Sequence, residues 1–235
     1  MFHVKHSEKE VSISMDISSS KLKLITEYME SILKVNENIN LTRISDDESA
    51  KLLHIEDSLS ILPEISNAPD GKYIDLGSGG GFPGVPIGIA SERETVLIDS
   101  VKKKMNAVDE ILKELGISNI HTVGDRIEIY STEHTNEFSV ISARAVTSIP
   151  ALLELASPLM RKGAHLILMK SHAQEPYDKL KTEEILGLKE ISFREYNLSD
   201  DQTYRCIYVF EKIKDHDQKI PRRIGMAQKR PLVKI

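Results

Sequence analysis

Apolar positions follow two different patterns along this chain, and the change of pattern divides it. Leu22, Ile25, Met29, Ile32 and Leu33 recur at three- and four-residue spacing, which predicts an amphipathic helix over Lys21–Val35. Ser18, Ser19 and Ser20 offer N-caps for it, and the polar run before them, Met1–Ser20, is expected to be ordered only in part. Asn36–Arg43 holds poor helix formers and reads as a turn. Asp46 then caps a second predicted helix, with a stripe of Leu52, Ile55, Leu59 and Leu62, ended by Pro63 and Pro69-Asp70-Gly71. From Lys72 onward short apolar runs take over. Tyr73–Leu76, Thr95–Asp99, Ile120–Val123, Phe138–Ser142 and Ala164–Met169 read as strands. Helices are predicted between them over Val85–Ser91, Lys103–Leu115 (stopped by Gly116) and Ile149–Arg161, with Pro150 near the start of the last and Gly163 after its end. Leu188–Phe193 and Tyr204–Phe210 add two strands joined by a turn at Asn197–Asp201, a terminal hairpin. Strand–helix alternation implies an α/β fold with a doubly wound, mostly parallel sheet of seven strands. Residues 1–71 form an N-terminal helical extension too small to stand alone, expected to pack on a main domain spanning 72–235.

Composition narrows the class. The chain has 235 residues, 40% hydrophobic and 29% charged, which suits a soluble protein with a sizeable core. No apolar run is long enough to span a membrane. Met1–His6 lacks the apolar centre of a signal peptide, and Cys206 is the single cysteine. Both favour the cytoplasm over an oxidising compartment, and neither a disulfide nor a metal site is expected. The formal net charge is -5. Against that background the tail from Lys219 carries Arg222, Arg223, Lys229, Arg230 and Lys234 without an acid. It is either a local basic face for nucleic acid or a solvated terminus.

The chemistry concentrates in Asp75-Leu-Gly-Ser-Gly-Gly-Gly-Phe-Pro-Gly84. A buried strand ending in a glycine-rich turn at the carboxyl edge of a sheet is where nucleotide-like ligands sit. A phosphate loop needs Lys-Ser or Lys-Thr after the glycines, and Phe82-Pro83 stands there. A dinucleotide fingerprint is met only by Gly79, Gly81 and Gly84, late relative to the strand, which leaves a dehydrogenase as a weaker alternative. The acid-plus-glycines pattern fits S-adenosylmethionine, with Asp75, Gly77, Ser78 and Gly79 as candidate cofactor residues. That molecule has no pyrophosphate, and its sulfonium repels cations, so a turn of bare backbone suits it. Asp99, closing the second strand, is placed for the ribose diol, or else caps the next helix. Ile127, after the third strand, is placed to cover the adenine.

These residues resemble the ribosomal small-subunit RNA guanine-N7 methyltransferases (RsmG, also called glucose-inhibited division protein B). Asn40-Leu41-Thr42, His54–Leu59, Ser142-Ala143-Arg144-Ala145, Pro221-Arg222-Arg223-x-Gly225 and Lys229-x-Pro231-Leu232 are similar to further family segments, in order along nearly the whole chain. The departures are Leu53 in place of a basic residue, Ile127 in place of a small one, and Met226-Ala227 in the tail. The resemblance implies a Rossmann-like methyltransferase sheet and S-adenosylmethionine-dependent methylation of N7 of a guanine in 16S rRNA of the small ribosomal subunit. It implies cofactor contacts at Gly77, Phe82, Ile127, Glu128 and Arg144. Arg144 is the best candidate to position the guanine, its alternative being an ion pair with a neighbouring acid. Arg43, His54 and Lys170, with Arg222, Arg223 and Lys229 of the tail, are candidate RNA contacts; His54 is as readily a packed helix histidine. Other readings are a methyltransferase of a different RNA, protein or small molecule, or a non-catalytic assembly factor that binds ribosomal RNA.

Overall fold

A computed structural model describes residues 17–39, 41, 46–171, 177–217 and 219–234. The candidates Arg43, Asn40 and Thr42, and the segment 1–16, lie outside the described residues. Seven strands form one sheet: β1 (Tyr73–Leu76), β2 (Thr95–Ile98), β3 (Ile120–Val123), β4 (Phe138–Arg144), β5 (Met160–Lys170), β6 (Leu188–Asn197) and β7 (Tyr204–Lys212). Their order is β3-β2-β1-β4-β5-β7-β6. β1 to β5 run parallel, and β7 pairs antiparallel with both β5 and β6.

Side chains alternate across this sheet because successive Cβ atoms point to opposite faces. Ile74, Leu76, Val96, Ile98, Ile141, Ala143, Leu166 and Leu168 join one core with Leu152, Leu153 and Ala156 of the helix Ile149–Ala156. The opposite face carries two clusters. In one, Leu97 meets Tyr28, Met29 and Ile32 of α1 (Ser19–Ile39) together with Val108 and Ile111 of the helix Lys102–Glu114. In the other, Tyr73, Val140, Ile167 and Val209 pack on Ile61 and Ile65.

Three helix boundaries differ from the sequence reading. α1 begins beside Ser18, whose Oγ accepts from the Lys21 N–H at 3.4 Å, and it runs to Ile39, taking in residues read as a turn. The second helix starts as expected, with Asp46 Oδ1 accepting from the Ser49 N–H at 2.8 Å. It then winds as a π-helix over Lys51–Glu56, returns to α-helix at Asp57–Leu59, and is followed by a separate helix, Leu62–Asn67. Pro63 opens that last helix rather than closing the one before, since a proline in a first turn sacrifices no hydrogen bond. The helix read as Ile149–Arg161 ends at Ala156. Pro158 has no N–H to continue it, and the Pro158 and Leu159 carbonyls accept instead from the N–H groups of Asn136 and Phe138.

Candidate functional site

The glycine-rich turn leaves β1 at Gly77 and reaches the helix Gly84–Ser91 at its other end. Gly77, Gly79 and Gly81 take φ of +69°, +55° and +85°, values that disfavour a side chain. The turn is fastened from beneath. The register of β1 with β4 sets Asp75 beside Ser142. Ser142 Oγ donates to Asp75 Oδ1 at 2.6 Å, and the Gly84 N–H donates to Asp75 Oδ2 at 3.1 Å. With its one hydrogen committed, Ser142 accepts from the Tyr73 hydroxyl, also 2.6 Å away. Burial pushes the Asp75 carboxyl up to about 6 against the lowering effect of these hydrogen bonds. Ser78 Oγ donates to the Asp75 carbonyl at 2.8 Å. Asp75, Ser78 and Phe82 are thus buried under the turn rather than set along the wall of the cleft beside it.

The helical extension closes over the same turn. Tyr28 is fully buried, donates to the Gly80 carbonyl at 2.9 Å, and meets the Phe82 ring edge-on at 5.7 Å. His54 stacks on Phe82 with ring centroids 4.2 Å apart and planes 7° apart. Only 4% of His54 is exposed. Burial first, and the Arg144 charge second, push its imidazole down to about 3. Of its two sequence readings, the structure places it in the packed arrangement, as a neutral ring with little surface to offer RNA.

Two cavities open at the carboxyl ends of the parallel strands. The first, about 270 Å³, is lined by Gly77, Asp99, Ile127, Glu128 and Val146, among others. Its charged side chains are Asp99, Asp125, Glu128 and one base, Arg126, an acidic balance suited to a cationic ligand. Asp99 directly follows β2 and accepts from the Gly79 N–H at 3.1 Å and the Val101 N–H at 2.9 Å. Its carboxylate thus steadies the glycine turn and the residue just before the helix Lys102–Glu114, without bonding an N–H of that helix itself, and each oxygen keeps a further lone pair. Glu128 opens towards the cleft while its Oε1 accepts from the Gly225 N–H at 2.8 Å, which draws the C-terminal tail across and brings Gln228 into the cleft wall.

The second cavity, about 480 Å³, is lined by Leu53, Asp57, Arg144, Lys170 and Arg205 with neighbouring backbone. Arg144, at the end of β4, donates to the Leu53 carbonyl at 2.7 Å and to Asp57 Oδ2 at 2.9 Å. Arg205 Nε donates to Asp57 Oδ1 at 3.0 Å. Arg144 is therefore both ion-paired and exposed to the cavity. Asp57 and Arg205 received no role from the sequence. They lie 148 residues apart, and no local spacing joins them. Ala145 and Val146 line both cavities and form the wall between them. Ala145 holds φ at +55°, uncommon for a residue with a Cβ and typical of strained functional positions.

The tail is more tightly held than its charge implied. Arg222 grips the buried Glu154 with both arms, Nε to Oε1 at 2.6 Å and Nη2 to Oε2 at 2.7 Å, and also donates to the Arg230 carbonyl. This commits Arg222 to the fold rather than to a free basic face, whereas Arg223 and Lys229 are exposed.

Residues 21–202 match the family model described as rRNA small subunit methyltransferase G. Proteins named ribosomal RNA small subunit methyltransferase G are similar over almost the full length. The Clostridium tetani protein is 34% identical over 225 residues (94% of each chain). The Clostridium novyi protein is 30% identical over 227 residues (94% of this chain, 93% of that one). Solved structures share the fold at low identity. Cofactor-bound Rv0187 from MTB gives a TM-score of 0.56 at 14% identity, covering 80% of this chain and 90% of that one. A mutant of MtNAS in complex with S-adenosylmethionine gives 0.54 at 12%, covering 83% and 76%.

Proposed function

The chain belongs to the rRNA small subunit methyltransferase G family, and on that premise we propose how its own residues divide the work of methylating N7 of a guanine in 16S rRNA. The observation that carries the reading is the pair of cavities separated only by Ala145 and Val146: an acidic cleft beside a glycine turn, and a basic pocket beyond the wall. The cleft takes S-adenosylmethionine, which when bound supplies an electrophilic methyl group on a sulfonium. The residues fit it. Gly77 of the turn lines the cleft directly, where it presents backbone without a side chain. Asp99 serves the ribose diol and Ile127 covers the adenine. Glu128 and Asp125 add negative charge, and the N–H groups of Gly77 and Ser78 stay bonded to the Ile98 carbonyl, fixing the turn in place.

The basic pocket takes the guanine. N7 carries an in-plane lone pair and no hydrogen, so it attacks without a general base, and the chain contributes by positioning. Correct orientation of two reactants can contribute roughly 7–11 kcal/mol. Asp57 clamps Arg144 and Arg205 in fixed poses at the pocket, which is the preorganisation such a mechanism needs. Arg223 and Lys229, exposed on the tail, supply phosphate contacts, and Arg43 is assigned the same task from its place in the sequence. The substrate is the RNA of the small ribosomal subunit, met in the cytoplasm. Among the described residues no helix is long and apolar enough to cross a membrane.

The test is incubation with methyl-labelled S-adenosylmethionine and small subunits from cells lacking this protein. Label should appear at N7 of a single guanine of 16S rRNA. A folded protein that transfers none would sink the reading.

A further inference from the structure

Guanine and adenine both present N7 in the major-groove edge and differ beside it: guanine carries the O6 acceptor, adenine an amino donor. An enzyme that methylates N7 of guanine must read that neighbouring atom. The charged side chains around the larger cavity are Arg144, Arg205, Lys170 and Asp57. Both oxygens of Asp57 are engaged by the two arginines, at 2.9 and 3.0 Å. Donors therefore outnumber acceptors among the charged side chains of this cavity, with its one carboxylate already held by both arginines, which suits O6 better than an amino group.

Among these donors Lys170 is the one for which no ion pair is found among the described residues. Arg144 is ion-paired to Asp57 and bonded to the Leu53 carbonyl, both through Nη1, and Arg205 is held by Asp57 and the Tyr204 carbonyl. Lys170 ends β5, one strand from Arg144, and only 6% of it is exposed. The Thr147 carbonyl, 2.5 Å from Nζ, takes one of its three hydrogens. Among the described residues no carboxylate pairs with it. The titratable group facing it from β7 is the Cys206 thiol, its register partner. Burial pushes the Lys170 amine down to about 8. Burying an amine with no carboxylate costs stability, and a fold keeps such an arrangement where an incoming acceptor completes it.

We propose that Lys170 donates to O6 of the target guanine and so selects guanine over adenine, an assignment that rests on the larger cavity being the base pocket. In the reaction the N7 lone pair forms the new C–N bond while the C–S bond breaks, and the ring acquires a positive charge without any proton moving.

The test uses small subunits reconstituted with the methylated guanine replaced by 2-aminopurine, which keeps N7 and lacks O6, or by hypoxanthine, which keeps both. Wild-type protein should methylate hypoxanthine well and lose about 10- to 100-fold in kcat/KM on 2-aminopurine. Lys170→Met should lose a similar factor on guanine and little more on 2-aminopurine, with cofactor affinity by calorimetry equal to wild type. Two losses that multiply independently would overturn the inference, because that is the result expected if Lys170 only anchors the Thr147 carbonyl. Should Lys170→Met not fold, Lys170→Arg keeps a donor and must keep the preference for guanine over 2-aminopurine; loss of that preference also overturns it. Wild-type protein that methylates no natural guanine overturns the base-pocket reading itself, an outcome distinct from either of these.

Discussion

Replacing His54 by phenylalanine isolates what burying one imidazole against the glycine-rich turn does to the pH dependence of folding. The folded imidazole is held at about 3, against an ordinary 6.5. Each unit corresponds to about 1.36 kcal/mol, so the full difference amounts to about 5 kcal/mol. The sign follows from which state takes the proton first. Because the folded value is depressed, the unfolded chain binds a proton as pH falls below 6.5 while the folded chain does not. The contribution is therefore complete above pH 6.5 and is lost on acidification towards 3. Between pH 6.5 and 4.5 wild-type protein should lose about 3 kcal/mol from this group alone. Asp75 works in the opposite direction. Its carboxyl is raised to about 6 from 3.8, so the folded state is the first to take that proton, and stability is regained by up to about 3 kcal/mol as pH falls from 6 to 3.8. The Asp75 gain offsets part of the His54 loss in the wild-type curve. The difference between wild type and His54→Phe removes Asp75, and comparing that difference at two pH values removes any pH-independent packing cost of the larger ring. Urea unfolding at pH 7 and pH 4.5, at one ionic strength, measures it. The balance should shift by about 3 kcal/mol in favour of the variant at the lower pH. A gap that is the same at both pH values would refute the assignment of His54 as a buried neutral ring.

The two arginine-rich features of the tail should separate cleanly. Arg222→Ala leaves the Glu154 carboxylate, 2% exposed, without its bidentate partner and should cost about 3 kcal/mol in chemical denaturation. Lys229→Ala should leave stability unchanged and lower the salt dependence of RNA affinity by about one unit of slope; the reverse pattern would reassign both. Gly77→Ala combines φ of +69° with a Cβ 2.6 Å from Val146, so it should disturb the wall between the cavities and weaken both cofactor binding and methyl transfer. Gly79→Ala would meet, among the described residues, only the Leu41 carbonyl at an unstrained 3.8 Å and should cost only the backbone term, about 1 kcal/mol by thermal unfolding. Equal effects of the two glycine variants on stability would contradict this. Glu128→Ala removes the acceptor for the Gly225 N–H, so trypsin should cut after Arg223 or Lys229 faster than in wild type; an unchanged rate would mean that this clasp does not hold the tail.

Local pattern determined much of this molecule. The short continuous apolar runs specified the strands, because a strand buried on both faces must be apolar along its length. The glycines of 77–81 specified a turn with φ values closed to other residues. Asp99 and Ile127 follow from strand–helix alternation, which places each strand's carboxyl end at the same edge of the sheet. The missed boundaries have local causes too. Pro158 and Pro63 act by whether an N–H is needed at that point, a matter settled by what lies on either side.

What only the tertiary structure decided is where charges end up, because an ion pair has no sequence period. Asp57 with Arg144 and Arg205, and Arg222 with Glu154, are joined across 87, 148 and 68 residues by the stacking of separate elements. From the sequence, Arg222 and His54 were as good candidates for RNA as Lys229. Packing commits the first to Glu154 and the second to Phe82, and leaves Lys229 exposed. Burial also separates residues that share one motif. Gly77 and Asp99 line the cleft, while Asp75 and Phe82, drawn from the same part of the chain, hold the turn from below.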